Sequence, residues 1–144
     1  MNHTFVKDVM TSEVAALDSS SMIKDAAKLM DEKNIGCIIA TRDELPVGIL
    51  TERDFVKRIA SKEKPLTAPI EEVMSSPLIS IDPDDTVWEA AEDMKVNNIH
   101  KLAVLEGNKI IGIITTSDLV EICSLGSDSE MRRICDQILT RMQK

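Results

Sequence analysis

Apolar positions along the chain fall into short runs and helical stripes, and the same order of runs occurs twice. Residues Thr4 to Met10 form a short amphipathic lead-in, and Val14 to Leu17 reads as a brief buried strand. Asp18-Ser19-Ser20-Ser21 closes that strand with side chains suited to capping a helix. From Met22 the apolar residues Ile23, Ala26, Ala27, Leu29 and Met30 keep helical spacing, while Lys24, Asp25, Lys28, Asp31 and Glu32 take the polar side. The pattern stops near Asn34 to Gly36. Cys37 to Thr41 and Val47 to Leu50 are strand-like, separated by the charged turn Arg42-Asp43-Glu44. Asp54 to Ser61 predicts a second helix, and Lys62 to Pro69 a polar linker punctuated by proline.

The second half repeats this order without a gap. Aligning Val9–Val56 with Val73–Val120, 64 residues further on, gives fourteen identities in forty-eight positions. Val-Met, Asp, Ala-Ala, Met, Asn-Ile and the heptad Gly48-Ile49-Leu50-Thr51-Glu52-Arg53-Asp54 all recur, the last as Gly112-Ile113-Ile114-Thr115-Thr116-Ser117-Asp118. Such a duplication marks two copies of one supersecondary unit. The second copy opens its helix with the capping box Thr86-Val87-Trp88-Glu89 and turns its hairpin at Glu106-Gly107-Asn108. The expected class is α+β: two β-α-β-β-α repeats related by a pseudo-twofold axis and packed through their sheets, with a C-terminal helix. The expected boundaries are 1–62 for the first repeat with its lead-in, 63–72 for a linker, 73–122 for the second repeat and 123–144 for the helical extension. In that extension Met131, Ile134, Cys135, Ile138, Leu139 and Met142 keep helical spacing after Ser127-Asp128-Ser129-Glu130.

Composition narrows the chemistry. Trp88, Phe5 and Phe55 are the only aromatic residues, so the core must be aliphatic and Met-rich. Cys37, Cys123 and Cys135 are odd in number and far apart, which argues against a disulfide framework or a CxxC site and for small core or helix residues. The formal net charge of −8 disfavours a general grip on nucleic acid. No run approaches a membrane span, and the N-terminus lacks a signal pattern, so a cytoplasmic protein is expected. Nothing resembles a hydrolase elbow, a zinc-protease helix or a phosphate loop. His3 and His100 are the only histidines, so no enzyme and no metal site is expected. Gly48 and Gly112 are expected to permit close backbone approach, and Trp88 to pack rather than stack on a base.

Each heptad is a strand running directly into a helix, a junction that presents free N–H groups and the positive end of the helix dipole. The ordered, duplicated set V-M-x-S, A-A-x-x-M, N-I and G-I-h-T-x-x-D resembles a tandem pair of CBS domains, known as a Bateman module, over residues 6–122. The resemblance implies clefts for adenosine compounds (AMP, ADP, ATP or S-adenosylmethionine) as regulatory ligands. It implies an aspartate on the ribose hydroxyls, a threonine near the phosphates, and basic residues of the opposite repeat on the phosphates. Carried onto this chain, one site takes Thr51, Arg53 and Asp54 with His100 and Lys101, and the other takes Thr115, Ser117 and Asp118. Gly36 and Cys37 stand where His100 and Lys101 stand in the second repeat, so the Asp54 side is favoured for nucleotides. The adenine would lie against Val14, Ala15 and Ala16 or Leu78, Ile79 and Ser80, near Ile35 and Ile99.

Thr51-x-x-Asp54 and Thr115-x-x-Asp118 also have the spacing of a helix N-cap with an acidic third residue, worth roughly 1 kcal/mol without any ligand. Glu or Gln is the usual reciprocal partner in such a cap, which favours the ligand reading. The expected function is a ligand-sensing module, a homodimer that regulates an unknown enzyme or transporter in trans. The competing expectation is an assembly protein of the same fold with vestigial sites.

Overall fold

The computed structural model describes residues 4–123, 132, 133, 135 and 136. It divides into two compact units: Val14–Ile79, and residues 4–13 together with those from Ser80 onward. These are called the first and second unit below.

In the first unit, strands β1 (Ala16–Asp18), β2 (Cys37–Arg42) and β3 (Leu45–Thr51) form a sheet in the order β1-β2-β3. The β1–β2 pair is parallel and the β2–β3 pair antiparallel. Helix α2 (Ile23–Lys33) makes the crossover that a parallel pair requires. Ile23, Ala26 and Met30, one turn apart on that helix, are buried with Ile38, Ala40 and Leu50. The helix stops because Asn34 takes a left-handed conformation (φ 53°, ψ 50°) and the Ile35 N–H reaches back to the Met30 carbonyl at 3.0 Å. After β3 the chain enters α3 (Glu52–Asp54), which continues as a π-helix over Phe55–Ala60.

The second unit repeats this plan 64 residues on. Strands β4 (Ser80–Ile81), β5 (Lys101–Glu106) and β6 (Lys109–Thr115) pair in the same order and senses. Helix α4 (Val87–Asn97) ends on Asn98 at φ 53°, and α5 (Thr116–Cys123) follows β6. The repeated Asn-Ile is therefore a helix stop in both copies. Thr86 caps α4, its hydroxyl accepting from the Glu89 N–H at 3.2 Å.

Three expectations are corrected. Asp18–Ser21 do not cap α2: its N-cap position is Met22, without a side-chain bond. The first N–H groups of that helix are satisfied by main chain, Ile23 donating to the Ala68 carbonyl and Lys24 to that of Leu66, each at 2.9 Å. Asp18 instead closes a local turn, accepting from the Ser20 amide at 2.9 Å and hydroxyl at 2.6 Å, which lower its pKa. The stretch expected as a linker is thus part of the first unit. The first strand is also shifted, to Ala16–Asp18, and of these residues Ala16 and Asp18 are exposed.

The lead-ins also pack differently from the boundaries read in the sequence. Helix α1 (Val6–Val9) lies in the second unit, where Val6 is buried among Val87, Leu102 and Leu119. Thr11 forms an antiparallel bridge with Ile113, its N–H 2.8 Å from the Ile113 carbonyl. Correspondingly, Ser75 bridges Ile49 in the first unit. The glycines explain the Val-Met motif: a Cβ on Gly48 would lie 2.6 Å from the Met74 sulfur and 2.8 Å from the Ser75 carbonyl oxygen. One on Gly112 would lie 2.5 Å from the Met10 sulfur and 3.0 Å from the Thr11 carbonyl oxygen. Each glycine makes room for the methionine and backbone of a lead-in.

Cys123 and Cys135 are joined in a disulfide, against the expectation from their spacing; their Cα atoms are 5.7 Å apart. Arg132, Arg133, Cys135 and Asp136 are helical and belong to the C-terminal helix. The Arg133 guanidinium lies 4.6 Å from the centroid of the half-buried Trp88, which packs on the second core as expected. Met131, Ile134, Ile138, Leu139, Met142, Ser127–Glu130 and His3 lie outside the described residues.

Candidate functional site

The register of each sheet gathers the predicted site residues at one end of it. In the first unit Thr51 ends β3 opposite Cys37, the first residue of β2, while Ala16 begins β1 beside Ile39. The Glu52 N–H donates to the Gly36 carbonyl at 3.2 Å. Val14–Ala16, Ile35–Cys37 and Thr51–Asp54 therefore share one sheet end. In the second unit Thr115 ends β6 opposite Lys101, and the Thr116 N–H donates to the His100 carbonyl at 3.0 Å. Ser80, Ile99–Lys101 and Thr115–Asp118 share the equivalent end. His100 and Lys101 are thus neighbours of Thr115 within one unit. Leu78 and Ile79 close the first unit.

The threonine and aspartate of each heptad are bonded to each other. Thr51 N–H donates to Asp54 Oδ2 at 2.9 Å, and the Thr51 hydroxyl to the same oxygen at 3.3 Å. Thr115 N–H donates to Asp118 Oδ2, also at 2.9 Å, whereas the Thr115 hydroxyl accepts from the Asp118 N–H at 3.2 Å. Aspartate is long enough to complete the reciprocal cap, so the preference for Glu or Gln does not separate cap from ligand site here. Asp54 is 6% exposed and Asp118 half-buried, while Arg53 and Ser117 are exposed. Of the proposed adenine contacts Ala15 is buried, Val14, Ile35, Leu78 and Ile99 are half-buried, and Ala16, Ile79 and Ser80 are exposed.

Arg58 completes the first junction, and sequence reading missed it. Its Nε lies 3.5 Å from Asp54 Oδ1, and its Nη1 donates to the carbonyls of Met74 at 2.9 Å and Val73 at 3.3 Å. The available signal was the Asp-x-x-x-Arg spacing, one helical turn. In the second repeat the matching residue is Ile122.

An acidic face on α4 further distinguishes the second unit. Burial, with Asp85 nearby, raises the pKa of Glu89, and burial with Asp85 and Glu92 raises that of Asp93. Among the described residues no group of three or more His, Cys, Asp or Glu side chains could hold a metal ion. Among them, too, no helix is long and apolar enough to cross a membrane.

A family model described as "CBS domain" matches residues 6–61 and 70–124. The chain belongs to the CBS-domain family. This CBS pair is 33% identical over 114 residues to the CBS domain-containing protein YhcV of Bacillus subtilis, covering 79% of this chain and 81% of that one. It is 32% identical over 121 residues to a homoserine O-acetyltransferase of Methanohalobium evestigatum, covering 83% of this chain but only 24% of that protein. Among solved structures it is similar to the CBS domain pair of protein MJ0100 in complex with 5′-methylthioadenosine and S-adenosyl-L-methionine. That likeness has a TM-score of 0.78 at 27% identity and covers 85% of this chain and 98% of the other.

Proposed function

We propose that this CBS pair is a regulatory module that binds an adenosine-containing ligand, AMP, ADP, ATP or S-adenosylmethionine, at its Thr-x-x-Asp junctions. The observation that carries this reading is the duplicated strand-to-helix junction with an aspartate at its mouth, in a chain similar to a CBS pair complexed with two adenosine compounds. The aspartates Asp54 and Asp118 are the candidate acceptors for ribose hydroxyls, Thr51, Thr115, Arg53 and Ser117 line the approach, and His100 and Lys101 meet phosphate. The adenine rests on Val14–Ala16 or Leu78–Ser80, with Ile35 and Ile99. The module works in the cytoplasm as a homodimer and has no catalytic activity of its own. Its ligand shifts a conformational equilibrium that a partner protein reads, by no more than its differential affinity for the two states.

Isothermal calorimetry against AMP, ADP, ATP, S-adenosylmethionine and adenosine, with GTP as control, tests this directly. Heat from an adenosine compound and none from GTP supports it; silence from all of them sinks it. His100→Ala should weaken AMP or ATP more than adenosine. A second reading, a structural or assembly protein with vestigial sites, is favoured by one observation: both aspartates already serve as helix caps.

A further inference from the structure

We propose that the two Thr-x-x-Asp junctions are not equivalent, and that Arg58 makes them so: it occupies the Asp54 carboxylate and leaves Asp118 to accept the ligand's ribose hydroxyls. This rests on the adenosine-binding reading above and reverses the preference for the Asp54 side implied by family resemblance.

A ribose diol needs carboxylate lone pairs that are not already engaged. At the first junction Asp54 Oδ2 accepts both the amide and the hydroxyl of Thr51, and Oδ1 faces Arg58 at 3.5 Å. The guanidinium is anchored on its other side by two main-chain carbonyls, so it is held there and does not merely drift past. A diol arriving at Asp54 finds three of the carboxylate's roughly four lone-pair sites facing donors, on a side chain only 9% exposed, and must compete with a cation held beside it. At the second junction Asp118 Oδ2 accepts only the Thr115 amide, because the Thr115 hydroxyl is turned to accept from the Asp118 N–H. Ile122 replaces the arginine, and Asp118 Oδ1 has no partner among the described residues. Lys101 stands directly opposite Thr115, on the same sheet face, where the first unit has Cys37 opposite Thr51. The junction with the open carboxylate is therefore also the one with a cation beside it for an anionic tail. Arg58 acts as a positioning residue for Asp54 and as a specificity determinant between the two junctions.

Calorimetric stoichiometry tests this with AMP and S-adenosylmethionine as probes on the full chain. The wild type should bind with one dominant equivalent, and Asp118→Asn should lose at least about ten-fold in affinity. Arg58→Ile should add a second equivalent, and the double variant Arg58→Ile/Asp118→Asn should recover one. Two equal equivalents in the wild type, an unchanged stoichiometry in Arg58→Ile, or unchanged affinity in Asp118→Asn would each overturn the proposal. Melting temperature without ligand separates this inference from the reading beneath it. Asp54→Asn, which strands Arg58, should lower Tm by clearly more than Asp118→Asn. Should the wild type bind no adenosine compound, the adenosine reading fails. The order of the two Tm losses then decides on its own whether Arg58 holds Asp54, equal losses overturning it.

Discussion

The two units share strands and helices at matching positions, and they part company at the side chains set around those elements. Helices α2 and α4 stop on the same left-handed asparagine, and β2–β3 and β5–β6 pair with the same bulge position. Both helix starts give their first N–H to a distant carbonyl, Ile23 to Ala68 and Val87 to Thr4, yet only α4 adds a side-chain cap, the Thr86 hydroxyl, and among the described residues one aspartate faces an arginine where the other does not. The contrast teaches that the backbone repeat is carried by the aliphatic core and the helix stops. Polar detail around them was free to diverge, and with it the chemistry.

The glycine contacts give the largest expected difference. Gly48→Ala drives a methyl to 2.8 Å from the Ser75 carbonyl oxygen, while at Gly112 the nearest backbone atom, the Thr11 carbonyl oxygen, is 3.0 Å away; at both sites the shortest contact is a pliable methionine sulfur. Overpacking of this kind costs about 1–3 kcal/mol, and Gly48→Ala should sit at the upper end and Gly112→Ala at the lower in urea unfolding. Equal losses would break the distinction. The asparagines should behave alike: Asn34→Ala and Asn98→Ala should each cost about 1 kcal/mol for the left-handed backbone, with Asn→Gly near neutral. Thr86→Ala should cost about 1 kcal/mol of a lost cap, whereas Ser21→Ala, which caps nothing, should stay within about 0.5 kcal/mol.

The smallest effect is electrostatic. Asp93 matches Leu29 of the first unit, and its folded pKa is raised, so the native state holds protons that the unfolded chain has released. Stability therefore falls as pH rises from the ordinary carboxylate range through the raised value. Asp93→Asn should gain a few tenths of a kcal/mol at neutral pH, about the size of a relieved like-charge helix pair, and should flatten that slope. Asp18 has the opposite sign: its lowered pKa contributes stability above the ordinary carboxylate range, lost as pH falls through the lowered value. NMR titration of the two carboxylates should show shifts in these opposite directions.

What was legible in the sequence was local or periodic. The ungapped duplication predicted paired elements, and the helical stripe from Ile23 to Met30 and the strand runs appear as expected. The heptads mark both junctions, although the true helix begins at Glu52, earlier than the apolar pattern indicated. What was missed depends on partners distant in the chain. No local rule tells Leu66 and Ala68 to cap a helix starting at Ile23, or Met10 to cover Gly112. The pairing of Cys123 with Cys135 was hidden by a count of three, since spacing alone does not say which helices return to one another. Arg58 was overlooked because the conspicuous motif ended four residues before it.

The packing of the lead-ins has a practical bearing on how the gene is cut. The duplicated segment and the folded body are out of phase by about a lead-in, so a clone bounded by the visible repeat is the wrong piece. A fragment of residues 1–62 would carry Met10 without its Gly112 seat and Gly48 without the Met74 lid, with the carbonyls that cap Ile23 and Lys24 missing. A fragment of residues 14–79 retains every one of those first-unit partners within itself. Expression trials and any grafting of one half into another protein should begin from those ends.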